Sequence, residues 1–182
     1  MGKKFTTANV LTIIRIILVP IFIVLYLDTS FYQDGFPLYA ILVFLLAFVT
    51  DVLDGFIARN YNQVTNLGKV LDPLADKLLR LGVMCSFAIN GVLPLWMFIV
   101  LLCFDALMII TGVVLYFNKI YVKANWVGKV TTIYLSLALF SCFFHNSINP
   151  IDTILVGIGI GLAIVAIIQY VVKFFKIYRK IK

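Results

Sequence analysis

Four aspartates, Asp51, Asp54, Asp72 and Asp76, fall within 26 consecutive residues and make up half of the chain's acid, since all eight acidic residues are Asp. Spacings of three and four place each pair on one face of a helix. If the two helices run antiparallel through the polar stretch between them, the pairs lie at comparable depth and four carboxylates share one pocket. Left bare, such a pocket is costly. An Asp near the centre of a membrane helix costs about 2.5–3.5 kcal/mol, and two like charges ~4 Å apart repel by about 4 kcal/mol at an effective dielectric of 20. Divalent cations offset both terms. Carboxylate oxygen is the donor that Mg²⁺, Mn²⁺ and Ca²⁺ prefer, and no Cys or His stands near enough to suggest zinc. Four carboxylates can hold two ions, a pattern tied to phosphoryl transfer. The alternative is that these Asp are helix caps and ion-pair partners. Asp72 before Pro73 suits an N-cap with Pro at the first helical position, but capping explains neither Asp51 and Asp54 inside an apolar run nor Asp76 one turn on.

The intervening residues sharpen this chemistry. Gly55, Ala58 and Gly68 are small, so that a ligand or a backbone can approach closely. Arg59 offers a forked cation suited to phosphate. Asp, small residues and Arg together describe a metal-bound diphosphate site better than an ion pathway.

The elements that must carry these residues belong to a membrane protein. Of the 182 residues, 63% are hydrophobic and 13% charged, against about 45–50% and 25% in soluble domains; a water-soluble domain, a disordered tail and a disulfide-stapled secreted domain are excluded. Six apolar runs, Val10–Leu27, Pro37–Arg59, Leu71–Asn90, Leu93–Asn118, Trp126–Phe144 and Ile154–Phe174, predict a single all-α domain over residues 1–182, a bundle of six transmembrane helices. The bilayer core has no water to satisfy loose backbone groups, so each run should be helical. Lys3, Lys4, Arg59, Lys69, Lys119 and Lys123, with five basic residues from Lys173 to Lys182, alternate with loops lacking Lys and Arg. This places both termini and the aspartates on the cytoplasmic side of the inner membrane. The first run holds Arg15 and ends without a small-residue cleavage site, unlike a signal peptide. The basic, aromatic tail suits anionic lipid, with no nucleic acid implied. Gly157, Gly159 and Gly161 suit close helix contact, within the chain or in a homodimer.

Written out, Asp51-Val-Leu-Asp54-Gly55-Phe-Ile-Ala58-Arg59, eight residues, then Gly68-Lys-Val-Leu-Asp72-Pro-Leu-Ala-Asp76 resembles the signature of the CDP-alcohol phosphotransferase family at all eight fixed positions. The six predicted spans are similar to that family's six-helix core. The resemblance implies that an acceptor hydroxyl attacks the β-phosphorus of CDP-diacylglycerol in the lipid bilayer and releases CMP. It also implies that Asp51, Asp54 and Asp72 are metal ligands, and that Asp76 sits on the second metal and serves as general base. Gly55, Ala58 and Gly68 would leave room for the cytidine end, with Asp54 and Arg59 on the nucleotide side.

Asn9-Val-Leu11-Thr12-Ile-Ile-Arg15, then Pro20, is similar to the opening of the phosphatidylglycerophosphate and CMP-forming cardiolipin synthase branch. Gly128-Lys129-Val-Thr131-Thr132 looks like a weakened form of that branch's Gly-Lys-x-Lys-Thr stretch. Phe104 stands before Asp105 where that branch usually has Arg, and Gly112 stands near a second usual Arg; both departures remove cations that would hold an acceptor phosphate. Lys129 is the first candidate for that task, followed by Arg15, Lys77, Arg80 and Lys123. Glycerol 3-phosphate is the expected acceptor and phosphatidylglycerol the alternative. A six-span cation transporter is the rival from another class, but it needs acids spread along a path through the bilayer. Asp105 is either a site residue or the partner of Arg80. His145 and the three cysteines are expected to be uninvolved.

Overall fold

Residues 7–60, 68–117 and 126–181 are described by a computed structural model. Among them no strand forms, and the six apolar runs become six long helices: α1 (Thr7–Leu27), α2 (Leu38–Asn60), α3 (Gly68–Ile89), α4 (Leu95–Phe117), α5 (Trp126–Ser141) and α7 (Ile151–Ile181). A one-turn α6 (His145–Ile148) precedes α7, and 3₁₀ turns occupy Thr29–Phe31 and Cys142–Phe144. The chain divides into two compact units, Met1–Asn90 and Gly91–Lys182.

Among the described residues, three stretches are long and apolar enough to cross a membrane: Val10–Leu27, Trp126–Ile148 and Ile151–Gln169. Leu38–Asp51 and Leu95–Ile109 are shorter apolar stretches. Two boundaries differ from expectation. Helix α3 begins at Gly68 rather than Leu71. Asp72 and Pro73 are therefore inside the helix and not at its cap. Helix α7 runs 31 residues to Ile181, so that the basic tail continues the helix.

In the first unit α1 packs along both α2 and α3. Its buried residues Thr12, Arg15, Leu18, Phe22 and Tyr26 recur at helical spacing. They face Ala40, Phe44 and Ala47 of α2 and Ala75, Leu79, Val83 and Phe87 of α3, all buried. Small residues let the helices close. A Cβ on Gly82 would meet Val19 Cγ1 at 2.9 Å, so α1 and α3 approach at a point where a side chain has no room. An aromatic cluster closes the far end: Phe22 stacks on Tyr26 at 5.7 Å, and Tyr26 meets Phe87 edge-on at 5.0 Å.

The α1–α2 reversal has a local cause. Asp34 and Gly35 both adopt positive φ, 50° and 77°, the two-residue reversal that Asp-Gly favours. Gln33 and Phe36 close it with paired backbone hydrogen bonds of 3.0 and 2.8 Å. Just before it, the Ser30 hydroxyl and backbone N–H hold the Asp28 carboxyl below its usual range. At the end of α3, Gly91 takes φ 72°, the left-handed C-terminal cap that glycine adopts at least cost.

In the second unit α7 packs on α4 and α5. Gly159 accepts Leu135 of α5, whose Cδ2 would lie 2.5 Å from an added Cβ, and Gly157 lies 3.8 Å by the same measure from Met97 of α4. Two of the three glycines thus serve contacts within the chain. In both units the outer helix faces are apolar, with Leu42, Leu46, Val49 and Leu53 of α2 and Ile154, Ile158, Val165 and Ile168 of α7 exposed. A contiguous apolar exterior is what a lipid-facing surface requires.

Candidate metal-dependent active site

Helical register within the first unit sets Asp51 of α2 against Arg15 of α1. Phe22 of α1 meets Phe44 of α2, and farther along the antiparallel pair Arg15 Nη1 lies 2.7 Å from Asp51 Oδ1. On the other side, Val19 lies against Gly82 and Tyr26 against Phe87. The second helix pair is therefore parallel, offset by 61–63 residues, and Arg15 stands level with residues 76–78 of α3. Asp51 and Asp76, from helices joined only through residues 61–67, thus share the height of one buried guanidinium.

Exposure decides what each group can do. The Arg15 side chain is 0% exposed and that of Asp51 45% exposed. The cation is sealed between helices while the carboxylate keeps surface for a ligand. Asp76 and Lys77 are half-buried on α3, one turn before the buried Leu79. Arg80 is half-buried on the same helix. Thr50, beside Asp51, is buried and donates its hydroxyl to the Ala47 carbonyl at 2.8 Å, so the hydroxyl next to Asp51 is spent within α2.

The side chains of Asp54, Ala58, Arg59, Asp72 and Lys129 lie outside the described residues, as do the surroundings of Gly55 and Gly68 and the whole of Lys123. Among the described side chains no group of three or more potential metal ligands occurs, since only two of the quartet are among them. The donor chemistry fits a hard divalent ion. Asp51 and Asp76 offer only carboxylate oxygen, and Asp51 is open to solvent on one side.

In the second unit, Thr131 and Thr132 donate to the carbonyls of Val127 and Gly128 at 2.8 and 3.0 Å, so both hydroxyls beside Lys129 are spent on α5 itself. Asp105 is buried in α4 at 6% exposure. Two pairings went unread in the sequence. One is Arg15 with Asp51. The other joins His145 to Asp152, with Nδ1 2.6 Å from Oδ2. Asp152 is 0% and His145 21% exposed, and the carboxylate sits in the first turn of α7, where a helix favours negative charge. The signal for the first pair was available. A lone Arg in an apolar helix must find a partner, and the next apolar run, reached through the Asp34-Gly35 reversal, carries Asp51.

A family model for CDP-alcohol phosphatidyltransferase matches residues 5–172. The chain belongs to the CDP-alcohol phosphatidyltransferase family. It is 36% identical over 137 residues to a CMP-forming cardiolipin synthase of Streptomyces coelicolor, covering 75% of this chain and 64% of that one. It is 39% identical over 102 residues to a CDP-diacylglycerol–glycerol-3-phosphate 3-phosphatidyltransferase of Mycoplasma genitalium, covering 56% of this chain and 43% of that one. A protein of the same name from Aquifex aeolicus is 33% identical over 180 residues, covering 94% of this chain and 97% of that one. The chain therefore spans less than two thirds of the first two relatives and nearly all of the third.

Proposed function

We propose that the protein transfers a phosphatidyl group from CDP-diacylglycerol to glycerol 3-phosphate and releases CMP, working in the cytoplasmic membrane with its site toward the cytoplasm and both termini on that side. The observation that carries this reading is the shared level of Asp51 and Asp76 around Arg15, in a chain that carries the whole eight-position signature. The near full-length match to the Aquifex protein supports the acceptor.

In this reading Asp51, Asp54, Asp72 and Asp76 hold two divalent cations, Mg²⁺ or Mn²⁺. When bound, the ions supply neutralisation of the diphosphate and of the departing CMP. Asp76 takes the proton from the acceptor hydroxyl. The oxygen so freed bonds to the β-phosphorus as the bond to the CMP oxygen breaks, leaving a phosphodiester in the lipid. Gly55, Ala58 and Gly68 make room for the cytidine end, and Arg59 holds the nucleotide side. Lys129, Lys77, Arg80 and Lys123 are the cations for the acceptor phosphate.

A second reading, a cardiolipin synthase with phosphatidylglycerol as acceptor, draws support from the Streptomyces relative and from Phe104 standing before Asp105. CMP release from CDP-diacylglycerol, assayed with each acceptor, separates the two. Turnover with glycerol 3-phosphate is expected; turnover only with phosphatidylglycerol moves the assignment to the second reading. EDTA should abolish either activity and Mg²⁺ or Mn²⁺ should restore it; indifference to the chelator removes the metal-dependent mechanism.

A further inference from the structure

We propose that Arg15 is a positioning residue for Asp51. Its buried guanidinium fixes the Asp51 carboxylate through Oδ1, so that the outward part of that carboxylate is aimed at a divalent cation. The inference rests on the metal-holding role proposed above for the aspartates.

Four observations lead to it. First, the burial is one-sided: the guanidinium is 0% exposed and its carboxylate partner 45%. A cation sealed between helices is badly placed to receive a soluble phosphate but well placed to orient a group that faces out. Second, the pair joins two helices at the level that Asp76 also reaches. Third, a charge in an apolar helix is costly, and an ion pair with one member 45% exposed adds little stability to offset that cost. Fourth, clustered carboxylates repel one another before any cation arrives, and a fixed positive charge behind one of them offsets that repulsion. The contact is an ion pair through Nη1, with neither Nη1 nor Nε in a hydrogen bond, so Arg15 acts on Asp51 as a charge held in place by the surrounding helices. Groups that orient a metal ligand from behind typically change metal affinity or activity by about 10–100-fold when removed.

The test uses the purified full-length protein in detergent, without substrate, titrated with Mn²⁺. Free ion is read by electron paramagnetic resonance and stabilisation by thermal melting. Arg15→Met should weaken Mn²⁺ binding by about 10–100-fold. Arg15→Lys should fall between Arg15→Met and the parent, because it keeps a charge but on a shorter side chain. In an Asp51→Asn background, Arg15→Met should add no further loss, since its effect passes through Asp51. Parent-like or tighter Mn²⁺ binding by Arg15→Met overturns the proposal, as does full additivity with Asp51→Asn. If Arg15→Met does not fold, Arg15→Lys decides, and affinity equal to the parent's overturns the proposal. A parent protein that binds no Mn²⁺ removes the metal reading itself, which a negative result confined to the Arg15 variants does not.

Discussion

Among the described residues, Arg15 in the first unit and Asp152 in the second are fully buried and paired with a more exposed partner, but the two pairs are inverted. In the first, Arg15 is sealed and Asp51 faces outward at 45% exposure; in the second, Asp152 is sealed and His145 is the outer member at 21%. The first pair therefore presents a carboxylate beyond its anchor, in a run that continues to Asp54. The second presents an imidazole at a chain corner, where its hydrogen bond ties α6 to the first turn of α7. Similar electrostatics serve different ends according to which partner keeps contact with the outside. A buried charge needs a partner in either case; whether the pair can also bind something depends on the exposed half.

The comparison can be broken most sharply by Asp76→Asn, which lies level with the first pair. Turnover should drop by about 10²- to 10⁴-fold, the contribution of a positioned base, with the thermal midpoint near the parent's. CMP release and circular dichroism check the two halves, and near-parent turnover would remove Asp76 as the base. His145→Ala should do the reverse. It leaves the Asp152 carboxylate buried without its partner, at a cost of about 2 kcal/mol, below the roughly 3–5 kcal/mol of a fully buried pair because His145 is partly exposed. For a chain of this length that corresponds to a midpoint about 4–8 °C lower, while CMP release per folded molecule stays within about twofold. A large loss of turnover with unchanged melting would show that the corner takes part in the reaction.

Paired glycine substitutions sharpen the contrast with smaller effects. Gly82→Ala and Gly159→Ala each gain about 1 kcal/mol of helix propensity and lose about 1–3 kcal/mol to overpacking against Val19 and Leu135. Both should melt slightly lower. Only Gly82→Ala should also reduce turnover, severalfold, because it parts the α1–α3 contact that sets Arg15 and Asp76 level. Equal turnover in the two variants would disconnect that contact from the site. The smallest effect is expected from Tyr32→Phe. It removes a 2.7 Å hydrogen bond to the Tyr26 carbonyl, worth about 1 kcal/mol, and turnover should not change.

Much of the molecule was legible in its residues. Helical class and the positions of the six long helices follow from hydrophobic runs, because these patterns reflect a backbone that must satisfy its own hydrogen bonds in an apolar surrounding. The Asp34-Gly35 reversal is equally local, a matter of two positive φ angles. Helix α3 starts at Gly68, ahead of the apolar run expected from Leu71, because a helix can continue past its apolar stretch through polar residues such as Lys69. His145 gave no warning of its partner: its interaction with Asp152 spans a corner whose path depends on how α6 and α7 pack.

Residue types alone determined that this chain is helical and apolar, and that four of its eight carboxylates fall within 26 residues. Only the tertiary structure decided which cation stands behind which acid. That choice depends on the register of α1 against α2 and α3, set by small and aromatic side chains such as Gly82, Phe22, Phe44 and Phe87, none of which carries charge. A periodic pattern specifies the face a helix buries. How far that helix slides along its neighbour is settled by packing between segments distant in sequence.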